Sequence, residues 1–274
     1  MRNIRFDNVE QSVNNVHIDI LEHGHVFADE NWNFHHVTSP FNRIYFVLDG
    51  SGYVQGTCGK IHLVPGNIYL IPLHSTNSYI CDSTMEKFYI HFRIDIFPGI
   101  DVFESLDTYS SLPFEKSIMI GLLEKIRHEE LSGIFSLKAM LYDAVCKFME
   151  LACINLKNLI TSTLKYRKVS EYIKVNCSLK LTPDRIADSM DIPVDILTKE
   201  FMRDMGYSLK SCIYNAILQH AKEKLLLTDL RIKEIAYPLA FYDEFHFSHF
   251  FKKHAGLSPK EYRKKNTMRP RFLT

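Results

Sequence analysis

The amino-acid sequence predicts an α+β protein of two domains: an N-terminal β-barrel followed by two helices, then an all-α C-terminal domain. Three observations carry this. Residues 1 to about 110 break into short apolar strands separated by Gly- and Pro-containing turns every eight to twelve residues, the pattern of a sandwich or barrel. Between Leu181 and Arg263 a small helical unit occurs twice, at an offset of 49 to 50 residues. Charge also divides the chain. Met1–Leu164 holds 12 Lys+Arg against 19 Asp+Glu, a net −7, and Lys165–Thr274 holds 21 against 13, a net +8, so a chain of net charge +1 has an acidic half and a basic half. Asymmetry of that kind marks a nucleic-acid-binding end. The expected boundaries are 1–154 for the barrel and its helices, 155–168 for a linker, 169–266 for the helical domain and 267–274 for a basic tail.

The strands follow in order. Val16–Leu21 alternates apolar and polar residues. Arg43–Leu48 runs into the turn Asp49–Gly52 and Tyr53–Gln55; Lys60–Val64 turns at Pro65 and Gly66 into Asn67–Ile71; Ser78–Cys81 and a long strand Lys87–Ile96 complete the set. A small jelly-roll barrel of this kind has an interior able to hold one small ligand. Such a site combines an apolar cleft with a few placed polar groups. Trp32, the single tryptophan, and His36 precede the first long strand; Arg43 and Tyr45 share one strand face, and Tyr89, His91 and Arg93 another. Trp32, His36, Arg43, Tyr45, Tyr89 and His91 are the candidate effector-binding residues. In the alternative, this polar face meets solvent while Phe88, Ile90 and Phe92 fill the core.

Two helical stretches come next. Phe114–Leu131 carries Ile118, Leu122 and Ile126 at intervals of four, and Leu137, Leu141, Ala144, Phe148 and Leu151 form a stripe at intervals of four and three. That stripe suits a homodimer interface or, equally, packing against the barrel. Residues 155–168, polar and basic around Thr161, Ser162 and Thr163, read as the linker.

Each copy of the repeat reads as helix, tight turn, helix. In the first, Thr182 caps a helix that begins with Pro183, Ile186, Ala187 and Met190 form its apolar stripe, and the stretch Asp191–Pro193 breaks it. Leu197, Phe201 and Met205 then follow at intervals of four up to Gly206. In the second, Ile232, Ile235, Ala236 and Leu239 make the stripe, Asp243 caps a new helix with Glu244 in its first turn, and Phe247, Phe250 and Phe251 point inward before Gly256. Two short helices joined by three or four residues make a helix-turn-helix, whose second helix can enter a DNA major groove. With the apolar positions inward, Asp195, Thr198, Lys199 and Met202 face outward on the first such helix, and Glu244, Phe245, Ser248, His249 and Lys252 on the second.

The run IKEIAYPLAFYDEFHFSHFFKKHAGLSPKEYRKK, Ile232 to Lys265, resembles the C-terminal signature of the AraC/XylS family of bacterial transcription regulators, and AKEKLLLTDLRIKEIA, Ala221 to Ala236, resembles that family's linker helix entering its second motif. The resemblance covers roughly the last hundred residues. It implies two helix-turn-helix units on one linker helix, reading successive major grooves of double-stranded DNA. It places base-reading positions on Asp195, Thr198, Lys199, Phe245, Ser248 and His249. Arg203, Lys252, Lys253, Lys260, Arg263 and Lys264 suit phosphates, which position a protein without specifying sequence. The chain departs from the family pattern at Ala240, a usual glycine; at Pro238, within a scaffold helix; at Leu209 and Cys212, for a usual proline and tyrosine; and at His249, for a frequent arginine. The phrase LVPGNIYLIP, with RIYFVLDGSG before and FYIHF after, resembles the cupin-type sensor barrel of many such regulators, although Asn77 stands where many carry a histidine. The resemblance implies a small-molecule effector, a carbohydrate being the best match, a homodimer, a cytoplasmic place on the bacterial nucleoid and, for an activator, RNA polymerase as a further partner.

Other classes fit less well. No stretch approaches the roughly 18 apolar residues of a membrane span, and MRNIRFDNVEQSV has no hydrophobic signal core, which argues against export. The cysteines at 58, 81, 146, 153, 177 and 212 form no CxxC pair and read as reduced thiols. His35 and His36 are adjacent rather than spaced as His-x-His, with no glutamate in the next strand at metal-site spacing, so neither a metal, a cofactor nor catalysis is expected. Two alternatives stand beside the effector-responsive regulator: a dimeric regulator that needs no ligand, and a cupin metalloenzyme fused to a DNA-binding unit.

Overall fold

The computed structural model describes residues 18–154 and 165–267. The chain forms two compact units. A β unit takes 18–93 and 103–154, and a helical unit takes 165–265 together with the short segment Ile94–Val102.

The β unit is two antiparallel sheets. Five strands lie in the order β1 (Asp19–Ala28), β8 (Met85–Arg93), β3 (Asn42–Gly50), β6 (Asn67–Ile71), β11 (Ser110–Pro113), and four in the order β2 (Phe34–Thr38), β7 (Thr76–Ile80), β4 (Gly52–Gly56), β5 (Gly59–Leu63). Residues from both sheets, among them Val37, Tyr45, Val47, Val54, Leu63, Ile71 and Tyr79, meet in one buried cluster, so the sheets close on a common interior as a jelly-roll barrel does. The other face of the five-stranded sheet is buried as well. Ile44, Phe46, Phe88, Ile90 and Phe92 lie there, with Phe114 edge-on to Phe46 at 5.0 Å, and helices α1 (Lys116–Arg127) and α2 (Leu131–Leu151) touching β3 and β11. Period-two alternation along β3 and β8 therefore sends one set of side chains into the barrel and the other under the helices.

Several expectations need correction. Val16 and His17 lie outside the described residues, and the first strand runs on to Ala28. β2 and β11 formed no part of the sequence reading. The long strand Lys87–Ile96 is two: β8 ends at Arg93, and β9 (Asp95–Phe97) pairs with β10 (Ile100 and Asp101) as a hairpin within the helical unit. The Asp101 carboxylate accepts the Ile94 N–H at 2.9 Å, and Pro98 with Gly99 makes the turn. Helix α1 buries Met119, Leu122 and Leu123 and leaves Ile118 exposed, so its inward stripe is turned by one residue. In α2, Leu137, Leu141, Ala144 and Phe148 are buried inside the β unit itself, and Leu151 is 54 % exposed beyond them. A spacing of four and three fits a sheet as well as a partner helix, and here it serves the sheet.

The helical unit has seven helices among the described residues: α3 (Arg167–Val175), α4 (Pro183–Met190), α5 (Val194–Met205), α6 (Leu209–Leu227), α7 (Ile232–Ala236), α8 (Glu244–Ala255) and α9 (Pro259–Asn266). The linker expected at 155–168 falls mostly outside the described residues. α4 with α5 and α7 with α8 form the two pairs, and α6 runs between them.

Candidate DNA-binding surface and barrel interior

The ends of both outward helices are set by local chemistry. In the first pair the Thr182 hydroxyl accepts the Arg185 N–H at 3.3 Å, and α4 stops at Asp191 in the left-handed conformation. Ile186, Ala187, Leu197, Phe201 and Met205 are buried between α4 and α5, and α5 ends on Gly206, φ 81°. In the second pair the Asp243 carboxylate accepts the His246 N–H at 2.7 Å, Phe247, Phe250 and Phe251 are buried, and α8 ends on Gly256, φ 77°. The N-caps fall on different helices of the two pairs, Thr182 on α4 and Asp243 on α8, whereas the inward Leu197/Phe247 and Phe201/Phe251 and the glycine stops Gly206 and Gly256 recur, so the repeated sequence pattern builds a repeated structure.

With the apolar stripes inward, the predicted base-reading residues stand on the outer faces. Asp195, Lys199, Phe245 and His249 are exposed, and Thr198 and Ser248 half-exposed. Phe245 is 77 % exposed, a large apolar ring that no neighbour covers. The Thr198 hydroxyl donates to the Val194 carbonyl at 2.7 Å, which leaves its oxygen to act as an acceptor. Of the predicted phosphate residues, Lys252, Lys253, Lys260 and Lys264 are exposed. Arg203 is exposed too, with its Nε donating to Asp204 at 2.9 Å. Asp204 also accepts from Lys165 and from the Tyr166 hydroxyl, and these hydrogen bonds, that from Lys165 first, hold its carboxyl well below the usual carboxylate range. Arg263 is placed differently from the expectation. Its Nε donates to the Leu225 carbonyl at 2.8 Å and its guanidinium to the Leu230 carbonyl at 2.6 Å, so it ties α9 to the C-terminal end of α6.

In the β unit, Arg43, Tyr45, Tyr89 and His91 point into the barrel, Arg43 and Tyr45 standing opposite His91 and Tyr89 on the neighbouring strand. Trp32 lies edge-on to Tyr45 at 6.2 Å and to Tyr79 at 5.6 Å. His36 is exposed on β2 and takes no part. His91 Nδ1–H donates to the Glu22 carboxylate at 2.9 Å and its ring stacks on Phe41 at 4.7 Å; burial outweighs the carboxylate and lowers its pKa to about 4, so the ring is neutral near pH 7. Asn77 is buried and satisfied, donating to Ser75 at 2.8 Å and accepting from the Tyr109 hydroxyl at 2.7 Å.

The residue that the sequence reading missed is Lys87, only 2 % exposed. Its ammonium lies 3.5 Å from the Trp32 ring centre and 3.8 Å from that of Tyr45. Burial, with Arg43 adding to it, drives its pKa well below the usual lysine value. Desolvated cation–π contacts are worth about 2 kcal/mol each, which offsets part of the several kcal/mol that removing an ammonium from water costs. Alternation offered a signal, because Lys87 lies in phase with Tyr89 and His91. Among the described residues, no group of three His, Cys, Asp or Glu is gathered as a metal site, and no helix is long and apolar enough to cross a membrane.

Paired helix-turn-helix units with polar, basic outer faces, carried on a chain with a separate two-sheet barrel, define a DNA-binding transcription regulator. A helix-turn-helix domain family matches residues 186–265. The Msm operon regulatory protein of Streptococcus mutans is 23% identical over 93% of this chain and 95% of its own length. The lactose operon transcription activator of Staphylococcus xylosus is 30% identical over 34% of this chain, and the uncharacterized regulator YijO of Escherichia coli 28% identical over 36%. These two matches span only 33% and 35% of the relatives' lengths. ToxT of Vibrio cholerae O395, solved with (E)-4-(8-methylnaphthalen-1-yl)but-3-enoic acid, shares the fold with a TM-score of 0.51 at 15% identity, over 89% of this chain and 98% of that one. Residues 186–265 thus form a helix-turn-helix domain at the C-terminal end, on a chain similar over most of its length to an operon regulator.

Proposed function

We propose that this chain regulates an operon for carbohydrate use, and that a small effector bound in the β unit alters how a dimer engages DNA. The observation that carries the DNA-reading part is the outward placement of Asp195, Thr198 and Lys199 on α5 and of Phe245, Ser248 and His249 on α8, each on a helix whose opposite face is buried. Lysine can donate to guanine O6 and N7, and an exposed ring packs on a thymine methyl. The sugar-operon names of the relatives support the carbohydrate reading. The polar and aromatic side chains inside the barrel support an effector there. An effector shifts the regulator only through different affinities for its two states.

Dimerisation belongs to another face than the predicted stripe. Leu131, Ile134, Phe135 and Tyr142 share one side of α2 and are exposed, Phe135 at 64 %. We assign the homodimer to that side. RNA polymerase is the further partner if the chain activates, and the cytoplasmic nucleoid its place of work. The test is selection of bound sequences from random duplex DNA, followed by Lys199→Ala and Phe245→Ala. Each variant is expected to relax preference at its own position, and unchanged preference in both sinks the assignment of roles. In sedimentation, Phe135→Asp is expected to give a monomer.

A further inference from the structure

Lys87 encloses its amino group in the barrel, and the rings of Trp32 and Tyr45 face it. Among the described residues no carboxylate pairs with it. Its cross-strand neighbour Val47 belongs to the interior cluster, so the side chain enters the barrel rather than leaving it. Arg43, also buried, lies beyond the same aromatic cluster, its guanidinium carbon 5.2 Å from the Tyr79 ring centre. The carboxylate of this region, Glu22, is on His91. Buried charges are normally paired. A lysine enclosed without an acid, in an interior that also contains the Arg43 guanidinium, suits a partner that arrives from outside.

We propose that the effector is a small organic anion whose carboxylate or phosphate is received by Lys87. This rests on the reading of the barrel as an effector site, and it replaces a neutral sugar by an acidic or phosphorylated one. The desolvated ammonium strengthens the pairing, because the attraction acts in a medium of low dielectric. Trp32 is the single tryptophan of the chain and is in contact with Lys87, so its fluorescence reports directly on the site.

The experiment uses the full chain, with thermal unfolding and Trp32 emission as readouts. The probes are matched on one skeleton: galactose, galacturonate and galactose 6-phosphate, with glucose, glucuronate and glucose 6-phosphate as a second set, and benzyl alcohol with benzoate as a third. An acidic member is expected to raise Tm and shift Trp32 emission where its neutral counterpart does neither. The carboxylate and phosphate arms decide between the two anions. Lys87→Met, which keeps the bulk and removes the charge, is expected to weaken that binding about tenfold or more while raising the Tm of the free protein, and Lys87→Arg is expected to retain binding. Response to neutral members alone overturns the anion and leaves the effector site standing. Anion binding that survives Lys87→Met, with Trp32 emission unmoved, also overturns it. Silence from every set overturns the effector reading and this inference together.

Discussion

At the scale of single residues, neighbouring basic side chains do different work. Lys199 stands free on the outer face of α5, whereas Arg263 is spent on the carbonyls of Leu225 and Leu230. Lys199→Ala is expected to cost about 1–3 kcal/mol at one base pair and to leave the melting temperature alone. Arg263→Ala is expected to lower the melting temperature of the helical unit, because it removes the tie between α9 and α6 and leaves the partly buried Leu225 carbonyl without its donor, at about 1 kcal/mol. Measuring DNA selectivity and unfolding for both variants separates the roles. Ala240 is a second instance. It has φ 62°, and holds the turn after α7 where the family pattern has glycine. The left-handed conformation costs a residue with a Cβ roughly 1–2 kcal/mol, so Ala240→Gly is expected to stabilise the unit by about 1 kcal/mol in denaturant unfolding. The departure from the family pattern was visible in the sequence; that the backbone keeps the glycine conformation despite it was not.

At the scale of elements, what was legible depended on how local the cause is. The caps at Thr182 and Asp243, the stops at Gly206 and Gly256 and the inward positions of α5 and α8 follow from residues within one turn of each other, and the sequence shows them. The hairpin β9–β10 does not follow from neighbours. Ile94 and Ile96 continue the alternation of β8, and nothing in the pattern marks the chain leaving the β unit after Arg93. The cause is distant: Phe97 packs on Phe201 of α5 at 5.4 Å between ring centres, and Gly99 approaches α6 so closely that a Cβ would come within 2.8 Å of the backbone at Asn215 and Ala216. Phe97→Ala is expected to cost the helical unit about 3–5 kcal/mol, the usual range for emptying a buried phenylalanine site. Its loss would be read as a lower midpoint for the helical unit's transition in urea. The face of a strand poses a similar problem. Period two groups Lys87 with Tyr89 and His91, but which group enters the barrel depends on helices from residues 116–151 covering the other side.

At the scale of the whole molecule, the two units differ in their response to pH. His91 in the β unit is neutral because burial lowers its pKa to about 4, against the opposing hydrogen bond that it donates to Glu22 on β1. The charged groups around it are Glu22, Arg43 on β3 and Lys87 further along β8. In the unfolded chain the same ring binds a proton as pH falls through about 6.5. Between these values the unfolded state holds the extra proton, so the His91 contribution to the stability of the β unit is constant above about pH 6.5 and declines as pH falls toward 4. The whole interval corresponds to roughly 3 kcal/mol. The helical unit has its exposed ion cluster of Lys165, Glu200 and Asp204, in which Lys165, through its hydrogen bonds, depresses both carboxyls. Those acids stay ionised through the same interval and impose no comparable loss. Unfolding of the full chain followed between pH 7 and 4.5 is therefore expected to show the β-unit transition, reported by Trp32, moving down while the helical transition, reported by far-ultraviolet circular dichroism, stays near its place. His91→Gln, which keeps a hydrogen-bonding side chain toward Glu22 and cannot titrate, is expected to flatten the Trp32 profile. A Trp32 transition that falls equally in the variant assigns the acid sensitivity to another group.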